Sequence, residues 1–444
     1  MTAENYTLCL KNGQVLIDDQ LIKTNVYVQD EKISLISDKN LPSTQIIECK
    51  NLIILPGVID SQVHFREPGL EGKETLSSGM LAAIAGGVTS IFEMPNTNPL
   101  TITPETIEDK LTRASKAAWS DYAFYLGGTM RTSENLSKWE NIKGVCGIKI
   151  FMGASTGDLM TATDEEVESV VSNGSRVIAV HAEDQMIMME NMKSILGDSN
   201  DVGMHCKWRS PESCLSATKR VVALARKHKR RVHILHITTQ EEMDFLGDNK
   251  DVASVELLSN HLTLNAPECY ESLGTLAQQN PPIREKHHQD ALWRALNNNI
   301  VDIVASDHAP HTLEEKSATY PKSPSGTPGV QTLVPIMLNH VNNGKLSLSR
   351  LVELWSYGPE RIHKIHNKGR IKEGYDADFT IVDMNKEMTI DNNQQKSKSK
   401  WTPYDGVKVK GWPTHTIIRG NCVMNNDEII GKPIGEMVKF KETM

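Results

Sequence analysis

The stretch Ile53-Ile54-Leu55-Pro56-Gly57-Val58-Ile59-Asp60-Ser61-Gln62-Val63-His64-Phe65-Arg66 decides the fold. A short apolar run ends on polar side chains, as in a parallel strand buried on both faces. The pattern recurs. Lys149 lies inside Gly147-Ile148-Lys149-Ile150-Phe151-Met152, and His181 follows Val177-Ile178-Ala179-Val180. His236 follows Val232-His233-Ile234-Leu235, and Asp307 follows Ile303-Val304-Ala305-Ser306. Polar residues that repeatedly end such strands indicate one shared site on the C-terminal face of a β/α barrel. Imidazoles and carboxylates gathered there make a transition-metal site, with zinc the best match.

Working outward, eight strand candidates alternate with longer helical segments: 57–63, 88–94, 121–126, 146–151, 176–181, 231–236, 253–258 and 301–306. This is the pattern of a (β/α)₈ TIM-type barrel, here spanning 56–362. Gly86-Gly87 before Val88 fits a helix stop and tight turn. Residues 1–55 alternate apolar and polar positions, with turn signals at Asn12-Gly13 and Asp38-Lys39-Asn40, and read as antiparallel strands. Strand patterns return within 363–444, at Phe379–Val382 and Thr416–Arg419. Both chain ends are therefore expected to form one small β-rich domain beside the barrel. The polar run Asn392 to Lys400 reads as a mobile loop.

A chain of 444 residues buries a large core without disulfides. Its net charge of −8 offers no basic footprint for nucleic acid. Lys227, Lys229, Arg230 and Arg231 do cluster, and read as a solvated helix end. No apolar run approaches the roughly 20 residues of a membrane span. The segment Met1-Thr2-Ala3-Glu4-Asn5 lacks the features of a signal peptide, and seven scattered cysteines suit a reducing compartment. A cytoplasmic homo-oligomer, dimer or tetramer, is expected.

Period-two alternation puts Gln62, His64 and Arg66 on one face. The same rule separates His236 from His233, so His233 is expected to face the surrounding helices. A charged lysine inside an apolar strand is unfavourable. Lys149 either snorkels from the strand end or carries a carbamate able to bridge two metal ions. Asp307 fits a group that takes a proton from bound water and returns it to a leaving nitrogen; the plainer alternative is a helix N-cap.

Three segments carry a resemblance. Gln62-Val63-His64-Phe65-Arg66-Glu67-Pro68-Gly69, Glu93-Met94-Pro95-Asn96-Thr97 and Ser306-Asp307-His308-Ala309-Pro310-His311-Thr312 resemble the dihydroorotases of the amidohydrolase superfamily, in the class I style. The similarity covers essentially the whole chain. It implies interconversion of N-carbamoyl-L-aspartate and L-dihydroorotate in pyrimidine biosynthesis. It implies that His181 and His236 hold one zinc ion, that His64, the residue at 62 and Asp307 hold another, and that carboxylated Lys149 bridges them. It also implies that Arg66, Asn96 and His311 bind the substrate carboxylate. Asn280 and the backbone at Pro328-Gly329 would contact the ring amides. The departure is Gln62, where most members carry histidine; an amide oxygen is the weaker zinc ligand, so one or two ions remain open.

Two other readings compete. One is another cyclic amidase, such as a dihydropyrimidinase or allantoinase, against which Arg66, Asn96 and His311 argue. The other is a non-catalytic scaffold for an aspartate transcarbamoylase, which Gln62 alone favours.

Overall fold

The computed structural model of the protein describes residues 5–153 and 159–443; residues 1–4, part of the segment read for targeting signals, lie outside them. Seventeen strands occur among the described residues. Five precede the barrel: β1 (Tyr6–Ile17), β2 (Gln20–Gln29), β3 (Lys32–Ser37), β4 (Ser43–Glu48) and β5 (Ile53–Pro56). Eight form it: β6 (Val58–Val63), β7 (Val88–Glu93), β8 (Asp121–Gly127), β9 (Val145–Phe151), β10 (Ile178–His181), β11 (Val232–Ile234), β12 (Ala253–Leu258) and β13 (Ile303–Ala305). Four follow: β14 (Phe379–Thr389), β15 (Lys408–Ile418), β16 (Asn421–Asn425) and β17 (Glu428–Ile429).

Strands β6 to β13 pair in chain order, each parallel to the next. The first and last meet where Val63 bridges His308 and the His64 N–H donates to the His308 carbonyl at 2.8 Å. All eight runs read as strands from the sequence are strands. Their outward side chains, such as Val58, Val180, Ile234 and Val304, pack on helix residues Val167, Val221, Leu292 and Leu333. A second apolar layer, with Ile59, Phe92, Tyr125, Ala179 and Leu235, includes Phe440 from the C-terminal tail. Such double-sided burial explains why the strands lack alternation in hydropathy.

Both chain ends build a separate nine-stranded sheet, with β5 between β14 and β1. It is mixed rather than antiparallel: β1 runs parallel to β4 and to β5. The sequence reading saw the hairpin turns but not the crossover that returns β4 and β5 alongside β1. The helix Leu76–Ala85 ends at Gly86, and Gly87 takes the left-handed turn at φ +91°. A Cβ at Gly86 would sit 2.5 Å from the Gln331 carbonyl oxygen, so glycine is required there.

The run Asn392 to Lys400 is not the mobile loop its composition suggests. Ser397 and Ser399 are buried. Buried Glu74 accepts from the Ser397 hydroxyl and from the Lys398 N–H, the latter at 3.0 Å. The Trp401 indole donates to the His311 carbonyl at 2.8 Å. A strap from the second domain thus braces the barrel loop after β13. No helix among the described residues is long and apolar enough to cross a membrane.

Candidate active site

A cavity of about 340 Å³ opens where the barrel strands end. Its wall holds Gln62, His64, Arg66, Asn96, Lys149, His181, His236, Asn280, Asp307 and His311, so all ten residues singled out in the sequence meet in one place. Three of them leave the extended conformation: Arg66 at φ +67°, His236 at φ +40° and Asp307 at φ +46°. Left-handed backbone is uncommon away from glycine and costs on the order of 1–3 kcal/mol per residue. Asp307 is not a helix N-cap; Thr312 caps the next helix, Leu313–Lys316.

The cavity has two metal-suited halves. In one, His181 Nδ1 and His236 Nε2 lie 3.0 Å apart with their rings edge to face. Two nitrogens each about 2.0–2.1 Å from a shared zinc have a separation of this order. His181 is oriented through Nε2, which donates to the Glu183 carboxylate at 2.7 Å. Arg209 grips that carboxylate through Nε at 3.1 Å and through Nη2. Burial works to raise the Glu183 carboxyl, but Arg209 and His181 outweigh it and hold it well below the usual range. Burial also keeps both imidazoles neutral, the form that binds metal.

In the other half, His64 Nδ1 donates to Asn96 Oδ1 at 2.6 Å. Its Nε2 therefore carries a lone pair, and faces Asp307 Oδ1 at 3.1 Å. Two lone-pair atoms at that distance repel unless a cation lies between them. Asp307 Oδ1 indeed has no hydrogen-bond partner, and neither do Gln62 Oε1, Lys149 Nζ and His236 Nδ1. Two of these orphaned atoms, Asp307 Oδ1 and Gln62 Oε1, are acceptors beside the His64 lone pair, an arrangement that suits a cation. Among the described residues no three His, Cys, Asp or Glu side chains converge on one point. Each half thus offers two such donors, and Lys149 and Gln62 are the groups left to complete them. Burial brings the Lys149 amine down to about 7. A neutral amine is the form that reacts with carbon dioxide.

The rest of the wall is built for an anion. Buried Arg66 donates from Nε to the Pro310 carbonyl at 3.2 Å, and its Nη2 lies 3.3 Å from His311 Nε2. No carboxylate pairs with it directly among the described residues. Burial brings Arg66 down to about 10, so it stays charged at neutral pH. Burial, Arg66 and Lys73 push His311 down to about 2, so its ring is neutral. Lys73 lies 3.1 Å from His311 Nδ1. Asn280 is held by His205, at 3.0 Å, which in turn contacts Tyr320. Ser325 and Gly326 line the cavity where Pro328-Gly329 was expected; the Gly329 N–H is engaged by His308 Nδ1 at 3.0 Å. Buried Lys316 fixes this loop by donating to the carbonyls of Gln278, Pro324 and Gly326 at 2.9–3.2 Å.

The sequence reading missed the supporting residues. Glu183 stands two positions after His181, a spacing that alternation could have flagged. His233 does not face the helices. It is the register partner of Ala179, itself the partner of Lys149, and so turns into the barrel. There it contacts Ser254 Oγ at 2.9 Å and Glu256 Oε2 at 3.4 Å. Burial, then Asp307, raise the Glu256 carboxyl to about 8, so it is largely protonated beneath the site.

Comparison with known proteins agrees with this architecture. The amidohydrolase family model matches residues 53–423. A dihydroorotase of Pyrococcus furiosus is 36% identical over 433 residues, covering 97% of this chain and 95% of the relative. A dihydroorotase of Methanosphaera stadtmanae is 33% identical over 431 residues, covering 95% of this chain and 97% of the relative. Among solved structures, L-hydantoinase (dihydropyrimidinase) from Arthrobacter aurescens superposes with a TM-score of 0.93 at 27% identity, covering 98% of this chain and 99% of the other. With the barrel, the strand-end histidines and these relatives in agreement, the chain belongs to the amidohydrolase family and is an enzyme of that family.

Proposed function

We propose that the protein is a dihydroorotase, interconverting L-dihydroorotate and N-carbamoyl-L-aspartate. One observation carries the choice among cyclic amidases: a buried, charged Arg66 faces the cavity beside neutral His311, with no carboxylate paired to it among the described residues. A buried guanidinium without an anion is unfavourable, and a planar substrate carboxylate satisfies its fork. The dihydroorotase relatives support the same reading. The reading carries with it a cytoplasmic role in pyrimidine biosynthesis, and a dimer or tetramer with the barrel at 56–362.

His181 and His236, and His64, Asp307 and Gln62, with Lys149 if carboxylated, would hold one or two zinc ions, which would supply a Lewis acid and a water of lowered pKa. The protein's own groups do the rest. Lys149 Nζ adds to carbon dioxide, forming an N–C bond and releasing one proton. Glu183 and Asn96 fix the ring orientations of His181 and His64. Arg66, His311 and the Asn96 amide hold the substrate carboxylate, which sets the ring amide over the site. As water adds to the ring carbonyl, the Asp307 carboxylate takes one of its protons. Asp307 returns that proton to the ring nitrogen as the C–N bond breaks, and the new carboxylic acid releases its remaining proton to solvent, leaving a carboxylate and a ureido group. Asn280 and the Ser325-Gly326 backbone face the ring amides.

The hydantoinase superposition favours a second reading, a cyclic amidase acting on an uncharged ring. Turnover of L-dihydroorotate against dihydrouracil, hydantoin and allantoin separates the two. We expect dihydroorotate to be preferred at least 10²-fold in kcat/KM, the scale on which an unpaired polar group rejects an analogue. Better turnover of an uncharged ring would overturn the proposal. Arg66→Lys keeps the charge but loses the fork, and should mainly raise KM for dihydroorotate.

A further inference from the structure

A larger cavity, of about 510 Å³, lies at the opposite end of the barrel. Its walls come from residues at the beginnings of strands: Cys146 in β9, Arg176 and Val177 before β10, Arg230 and Arg231 before β11, Ser254 in β12 and Asp302 before β13. This N-terminal face ordinarily serves stability rather than chemistry. Here its lining holds six lysine and arginine side chains against two carboxylates, Asp302 and Glu442, in a chain whose net charge is −8. The basic run at 227–231 is thus not simply a solvated helix end. Lys227 does pair on the surface with Glu168, but Lys229, Arg230 and Arg231 line the cavity.

Two guanidiniums form a rigid back wall. Arg176 is 1% exposed, lies over the Phe440 ring and donates from Nη1 to the Glu140 carbonyl at 3.0 Å. Its Nε pairs with Glu442 at 3.4 Å, and its Nη2 is buried without a hydrogen-bond partner. Arg230 is locked by Glu140 and by the Arg176 carbonyl. At the rim, exposed Lys229 and Arg231 make no ion pair among the described residues. One unpaired donor behind, Arg176 Nη2, and two unpaired cations in front, Lys229 and Arg231, suit a multiply charged oxyanion. The volume suits a ligand the size of a nucleotide.

We infer that the N-terminal mouth of the barrel binds a small phosphate-bearing anion through Arg176, Lys229 and Arg231. The recognition is of the phosphate chain, whether free or on a nucleoside.

The test is calorimetric titration of the metal-loaded enzyme with pyrophosphate and, separately, with ATP. Saturable binding that weakens with added salt is expected for at least one probe. The double variant Lys229→Glu/Arg231→Glu, at exposed positions remote from the catalytic cavity, should weaken binding at least tenfold with basal turnover unchanged. Equal binding of the two probes supports a site for bare phosphate chains; tighter ATP binding supports a nucleotide site. Three results would overturn the inference: no saturable binding of either probe, the same affinity in the double variant, or loss of binding when saturating dihydroorotate fills the catalytic cavity.

Discussion

The two halves of the catalytic cavity are built differently. In the His181–His236 half, His181 is supported by charge: Glu183 accepts from His181, and Arg209 clamps Glu183. His64 and Asp307 are supported by neutral amides: Asn96 accepts from His64, and Gln62 turns an unpaired amide oxygen toward the same space. Charge-assisted hydrogen bonds are roughly twice as strong as neutral ones, and a carboxylate behind an imidazole raises its basicity. On the proposed reading the difference makes the first half the anchoring metal site, and the second, with Gln62 and the proton-moving Asp307, the adjustable one.

The largest effect should come from breaking the anchor. His181→Ala or His236→Ala removes one of only two imidazoles in that half, and is expected to abolish bound zinc and nearly all turnover. Metal analysis alongside a turnover assay checks this; full activity with unchanged metal would remove the anchor from the account. It would equally answer the scaffold reading, since a non-catalytic chain has no turnover to lose.

Asp307→Asn separates proton movement from metal binding. The fold and the anchored ion should persist, while the rate falls at least ~10²-fold. A near-native rate would mean that another group carries the proton.

The supports themselves come next. Glu183→Gln should weaken zinc binding by about 10–100-fold, the usual effect of removing such a partner. Asn96→Ala should weaken it less, because a neutral bond is lost. Competition with a chelator measures both, and the reverse order would invert the comparison.

The smallest effect belongs to Gln62→His. Replacing an amide oxygen with imidazole should modestly tighten zinc beside His64. An unchanged affinity would show that side chain 62 takes no part in holding metal.

Much of this was legible in the chain. Short apolar runs ending in His64, His181, His236 and Asp307 were read as parallel strands because double-sided burial leaves few other reasons for such runs. Alternation failed at His233 for a physical reason. The rule assumes extended backbone, but β11 ends at Ile234 and His236 turns left-handed at φ +40°, so both histidines reach the barrel interior. It failed at 392–400 because composition reports solvation of an isolated segment. Buried Glu74, remote in sequence, supplies the hydrogen bonds that order this one.

The sequence by itself determined the eight strands and the polar residues that end or follow them, because local hydrophobic period records which backbone is extended and buried. Only the tertiary structure decided which side chain supports which. Asn96 meets His64, Arg209 meets Glu183, His205 meets Asn280 and Trp401 meets the His311 carbonyl across 26 to 90 residues of chain. Such pairings depend on how strands and loops pack in three dimensions, and no short-range pattern records them. The cationic mouth at the far end of the barrel has the same origin: its arginines and lysines come from separate strand beginnings that only closure of the barrel brings together.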